Sequence, residues 1–376
     1  MHVVHKVSVD HESTEKTILD NKSSPVRASV QLTMQKCRVD IPFARAQRSG
    51  WIISPVNDLT WFIFSALGGY LTLLLFTMGV PPGPVLLVSL LVIDGPHVWS
   101  TMTRTYFDTS EWSKRPLQLF SIVPFLLAGP MMWMLGLAGL FFVLAYAWAY
   151  YHHAKQEYGF VMLYKAKNND RVAFDMQLDR RFLMISLLLP YAWYLVETHD
   201  LSVRLPFLRP VVGAMLYTYI LLAVFFIARQ VHKYVGGECL NAPKLALLAM
   251  SIPLQWCAFG YAIHHEFGIL AAAIPINTFH ALQYQRLVWF YNRNHYAEPS
   301  VKTRAGFAAV MNRNMIFYLA VVLLINFAFH AITGAVLRLR GIWVTAFWGV
   351  SFTHYFLDAK IWRVREDKEL AAALRL

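Results

Sequence analysis

The stretch from Val85 to Asp108, VLLVSLLVIDGPHVWSTMTRTYFD, sets Asp94 and His97 halfway along a run that otherwise reads as lipid-soluble. Polar groups of this kind are expensive at that depth unless something binds them. Positions i and i+3 lie on one face of a helix, so the carboxylate and the imidazole can converge on one point. Pro96 lacks a backbone donor and clashes with the preceding turn, which predicts a kink where the two groups sit. Taken alone, the pair fits a structural kink with a satisfied Asp–His contact equally well. Its weight comes from recurrence along the chain.

Of the 376 residues, 57% are hydrophobic and only 15% charged, and several apolar runs approach the length of about 20 residues that spans a bilayer core. The expected fold class is therefore all-α, a polytopic membrane helix bundle. Spans are expected at 59–80, 85–106, 117–128, 132–151, 181–197, 211–231, 245–263, 269–291, 315–334 and 342–362, about ten transmembrane helices. The third should end at Gly129-Pro130, and a polar loop over Ala166–Asp179 should precede the fifth. Residues 1–50 read as a polar cytoplasmic tail, 51–365 as the transmembrane domain with an intramembrane metal site, and 366–376 as a short second tail. Cys37, Cys239 and Cys257 are too few and too scattered for a disulfide framework or a thiolate cluster.

A formal charge of +12 could point to nucleic acid. Most Lys and Arg instead fall in tails and loops beside the apolar runs, where membrane topology and anionic headgroups place them. With residues 1–50 in the cytoplasm, the opposite side keeps only Arg204, Arg209, Arg338 and Arg340. That asymmetry puts both termini in the cytoplasm and gives nucleic acid no role.

Depth is the more informative quantity. His97, His280 and His354 each lie about a dozen residues into a span running towards the basic side, so at about 1.5 Å per residue they share one level. His152 and His153 lie slightly nearer that side. Each helix also carries a companion at helical spacing: Asp94 with His97, Glu157 with His153, Gln283 with His280, and Asp358 with His354. Imidazole and carboxylate ligands suit iron, manganese or zinc, and the number of groups fits two ions better than one. The candidate metal ligands are therefore Asp94, His97, His152, His153, Glu157, His280, Gln283, His354 and Asp358. His152 and His153 point about 100° apart, so one of them should bind and the other support, and Glu157 favours His153. Arg104, Tyr284 and Arg286 fall near the same level as candidate substrate-binding residues, while Lys360 and Arg363 read as snorkelling.

Helix bundles that hold two irons build the site from such carboxylate and histidine pairs. In ligand types and membrane setting the chain resembles the histidine-rich integral-membrane di-iron oxygenases, the desaturases and lipid hydroxylases. Those enzymes carry HxxxH and HxxHH boxes, whereas here the nearest match is His152-His153 without a histidine upstream at that spacing. The resemblance implies an O2-dependent oxidation of a lipid-like or isoprenoid substrate, two bound irons and an electron-donor protein. Two other classes use parts of the same inventory. Two histidines could be axial ligands of a haem, or Asp and His could line an ion path in a transporter. Metal hydrolysis with Glu157 as general base is the rival within the enzyme class. His264, His265 and Glu266 read as a solvated turn, His2, His5 and His11 as part of the polar tail, and His199, His232, His295 and His330 as interfacial.

Overall fold

In a computed structural model, the described residues are 50–198, 203, 205–336 and 340–376, and every regular element among them is helical. The tail expected over 1–50 lies outside them except for Gly50, as do His2, His5, His11, His199, Arg204 and Arg338. Ten long helices follow in order: α1 (Pro55–Thr77), α2 (Pro82–Thr103), α3 (Pro116–Met134), α4 (Ala138–Lys167), α5 (Ala173–Thr198), α6 (Leu208–Val235), α7 (Ala242–His264), α8 (Ile269–His295), α9 (Met315–Val336) and α10 (Arg340–Ile361). A short α11 (Lys368–Ala373) follows, with Leu370 and Leu374 buried. Six helices, α1, α2, α3, α6, α7 and the Met315–Ile332 part of α9, are long and apolar enough to cross a membrane. The other four match them in length but carry His152, His153 and Glu157, Asp175 and Asp179, His280 and Gln283, or His354 and Asp358. These polar groups are what lowers their apolarity.

The break expected at Gly129-Pro130 lies instead at Gly136, whose φ of 75° is a left-handed conformation that only glycine adopts without Cβ strain. Gly129 serves packing. A Cβ there would come within 2.6 Å of the Thr345 carbonyl oxygen, and one on Gly349 within 2.5 Å of the Phe125 carbonyl oxygen. Glycines on both partners thus let α3 and α10 approach almost backbone to backbone. In the same way, Gly69 on α1 lies against the Pro275 carbonyl of α8. α8 is the central pillar, packed against α1, α2, α4, α7 and α11.

The expected polar loop shrinks to residues 168–172, because its charges are paired. Lys165 and Lys244, each 1% exposed, share Asp170 and Asp179. Asp175 takes Lys233 at 3.1 Å and Arg229 at 2.8 Å. With the charges satisfied, α4 and α5 extend into the polar sequence. Burial pushes the Asp170 carboxyl up, but Lys244, Lys165 and Lys233 outweigh it and bring it down to about 2.

Two outcomes follow from this packing. Gly349→Val should destabilise the detergent-solubilised protein by about 1–3 kcal/mol or more through overpacking, read as a lowered melting temperature. Asp170 has a folded value below its unfolded 3.8, so its stabilisation is present above 3.8 and lost as pH falls towards about 2. Asp170→Asn should therefore melt below the parent protein at neutral pH, and the gap should close through that acid window.

Candidate metal centre

Each of the four helices that supply imidazoles does so from its interior, and α2 needs a special device to do it. Its residues Ser89–Asp94 form a π turn, in which the Gly95 N–H bonds to the Leu90 carbonyl. Pro96 has no N–H to continue the ladder. Asn326 on α9 supplies the missing donor: its Nδ2 lies 3.1 Å from the Leu90 oxygen and 3.0 Å from the Leu91 oxygen, and its Oδ1 accepts from Trp99 Nε1. The irregularity expected at Pro96 thus takes the form of a widened turn satisfied from outside. α1 has a similar turn over Leu59–Ile63, and there Gln283 Nε2 donates to the Phe62 carbonyl at 2.8 Å.

The five imidazoles of α2, α4, α8 and α10 converge. Ring centroids of His97 lie 5.0 Å from those of both His280 and His354, and His152 lies 5.1 Å from His280 and 4.8 Å from His354. His153 is 4.1 Å from His280. All five side chains are buried. Candidate ligand atoms of His97, His280 and His354 lie within 4.8 Å of one another, and so do those of His152, His354 and Asp358.

Orientation follows from what each imidazole binds on its far side. His97 Nδ1 contacts the Asp94 backbone oxygen and lies 3.3 Å from its carboxylate, leaving Nε2 buried without a partner. His354 Nδ1 is 2.7 Å from Thr101 Oγ1, and its Nε2 is likewise unpartnered. Acceptors at Nδ1 place the proton there and the free lone pair on Nε2, the arrangement that metal-binding imidazoles use. Unpartnered nitrogens also remain on His152 (Nε2), His153 (Nδ1) and His280 (both). Asp358 Oδ1 accepts from Tyr284 at 2.6 Å and from Thr101 at 3.0 Å. Both oxygens of Glu157 are buried without a hydrogen bond of good geometry.

The remaining candidates make the following contacts. Gln283 is engaged at both ends of its amide, donating to Phe62 and accepting from Gln156 at 3.3 Å. Tyr284 is fully enclosed, donating to Asp358, 2.6 Å from Thr101 Oγ1 and accepting from Trp362 Nε1. Arg286, six residues beyond His280 and so turned off its face, donates to Asn57 Oδ1. Arg104 lies with its guanidinium carbon 3.8 Å from the centre of the Tyr291 ring and 4.1 Å from that of Trp362. Four contributors had no role in the sequence reading: Thr101, Gln156, Asn326, and Tyr355, which stacks on His152 at 4.4 Å. Thr101 lies four residues past His97, so its spacing alone could have marked it. His265 stacks on Tyr261 in an exposed turn.

The donor set fits a metal. Bonds of about 2.0–2.2 Å to nitrogen and oxygen keep the ligands of one ion within roughly 4.4 Å of each other, so each triad needs only small shifts. The six unpartnered imidazole nitrogens are costly without an ion, since a buried polar atom left unpaired costs about 1–3 kcal/mol. No protein-family model, curated protein or solved structure matches the chain.

Thr101→Val keeps the side-chain volume but removes the partner of both His354 Nδ1 and Asp358. Metal affinity, followed by elemental analysis during chelator titration, should fall about 10–100-fold while the protein remains folded.

Proposed function

We propose that this chain is a multi-pass membrane metalloenzyme, an O2-dependent oxygenase, hydroxylase or desaturase with two non-haem irons. In this reading all ten long helices cross the bilayer, and the basic ends, with both termini, face the cytoplasm. The observation that carries it is the convergence of five buried imidazoles with six unpartnered nitrogens beside Asp358 and Glu157. His97 and His280 would hold one ion, His152 and Asp358 the other, with His354 joining one of them and His153 and Glu157 completing the set. Zinc and manganese share these ligand preferences, but two adjacent nitrogen- and carboxylate-rich positions without cysteine favour iron. Among the described cysteines, Cys239 and Cys257 are both exposed.

Bound iron would supply the activation of O2. The chain's own residues do the rest. Asp94 and Thr101 hold protons on the outer nitrogens of His97 and His354, so their inner nitrogens stay available. Tyr284 and Thr101 fix the Asp358 carboxylate, and burial of the five imidazoles keeps water from the reacting groups. A lipid-like or isoprenoid substrate would arrive from the bilayer, and electrons would come from a donor protein at the basic face. Haem fits less well, because the imidazoles lie against one another instead of facing across a macrocycle.

Gently extracted protein should carry about two irons per chain, the number a ligand set of this size supports. Cells expressing it under air should accumulate a lipid or isoprenoid that is heavier by one oxygen or lighter by two hydrogens. His280→Ala should abolish both results, as read by elemental analysis and mass spectrometry of extracts. Product that persists without O2 would return weight to hydrolysis, loss of metal without loss of function to transport, and a Soret band to haem.

A further inference from the structure

Arg104 follows the last residue of α2, at the basic end of the metal centre, and only 4% of it is exposed. The rings of Tyr291 and Trp362, set 75° apart, pack against its guanidinium as two walls of a corner. One nitrogen, Nη2, donates to the Ile361 carbonyl at 3.2 Å. The other two, Nε and Nη1, are buried and have no hydrogen-bond partner. None of the ion pairs among the described residues includes Arg104. Asp108 is engaged by Tyr296 and Ser110, and Asp358, within electrostatic reach of Arg104, by Tyr284 and Thr101.

A guanidinium keeps its charge in proteins, and any one of its N–H groups can make a charge-assisted bond to a carboxylate or phosphate oxygen. The two aromatic rings restrict its orientation and shield it from water. The site is continuous with the metal centre: Trp362 donates to Tyr284, and Tyr284 donates to Asp358.

We propose that Arg104 binds the anionic headgroup of the substrate, through a single charge-assisted contact from one of its unpartnered nitrogens, Nε or Nη1, and so anchors an amphiphile beside the imidazole cluster. This rests on the enzyme reading above and narrows its substrate class from lipid-like molecules to those with a carboxylate or phosphate head. Tyr291 and Trp362 are the positioning residues, since their rings close a corner around the guanidinium.

The test is equilibrium binding to the purified full-length protein in nanodiscs of neutral lipid, with no turnover required. Two matched pairs are compared, oleate with methyl oleate and dioleoyl phosphatidate with dioleoylglycerol. In at least one pair the anionic member should bind about tenfold or more tightly, the value of one charge-assisted contact. Arg104→Met should erase that preference without changing metal content, and Arg104→Lys should recover part of it. Equal affinity within both pairs overturns the proposal, whether or not either variant folds. Displacement of oleate by inorganic phosphate, with methyl oleate bound equally well, assigns the site to a free anion and also overturns it. Because binding is read without catalysis, the two failures separate. A headgroup preference without lipid oxidation removes the oxygenase reading alone, whereas oxidation without the preference removes this assignment alone.

Discussion

Imidazoles cannot satisfy one another when each turns a lone pair to the same point, and that constraint organises this molecule. Once the outer nitrogens of His97 and His354 are fixed by Asp94 and Thr101, the inner ones have no donor among the five rings. A shared positive ion is the simple resolution. The neighbouring structure maintains the arrangement. α8 presents His280 from the centre of the bundle, glycines bring α3 close against α10, and amide side chains complete two widened helical turns.

The buried charges near the ends of α4, α5 and α7 obey a different rule. There every lysine finds an aspartate, and opposite charges compensate within the protein. At the imidazoles and at two nitrogens of Arg104 no hydrogen-bond partner answers the burial among the described residues. The same burial is thus satisfied in one place and not in the other.

Much of the site was legible because helical rise and facing are regular. Counting residues along each apolar run placed His97, His280 and His354 at one level, and their convergence needs little beyond that count. The existence and order of the ten helices were readable from apolar runs for the same reason. The boundaries were harder. Gly129-Pro130 looks like punctuation, yet its glycine is spent on contact with α10, which no local pattern reveals. Polar residues at 166–179 look like a loop because their partners, Lys233 and Lys244, stand some 60 residues away in sequence. Ligand spacing also marks any side chain on the right face, Gln283 among them, and it says nothing of the bonds that Gln283 makes to Phe62 and Gln156.

The π turn in α2 changes the angular phase of everything that follows it. One extra residue in a turn rotates the rest of a helix by about 100° relative to a regular one. The lipid-facing half before Ser89 and the half that carries His97 are therefore indexed independently, with Asn326 acting as the latch that holds the offset. Closing the widened turn at unchanged length would swing His97 away from the other imidazoles, whereas removing one residue as the turn regularised would leave its direction intact. In this part of the chain, length conveys chemical information that residue identity does not.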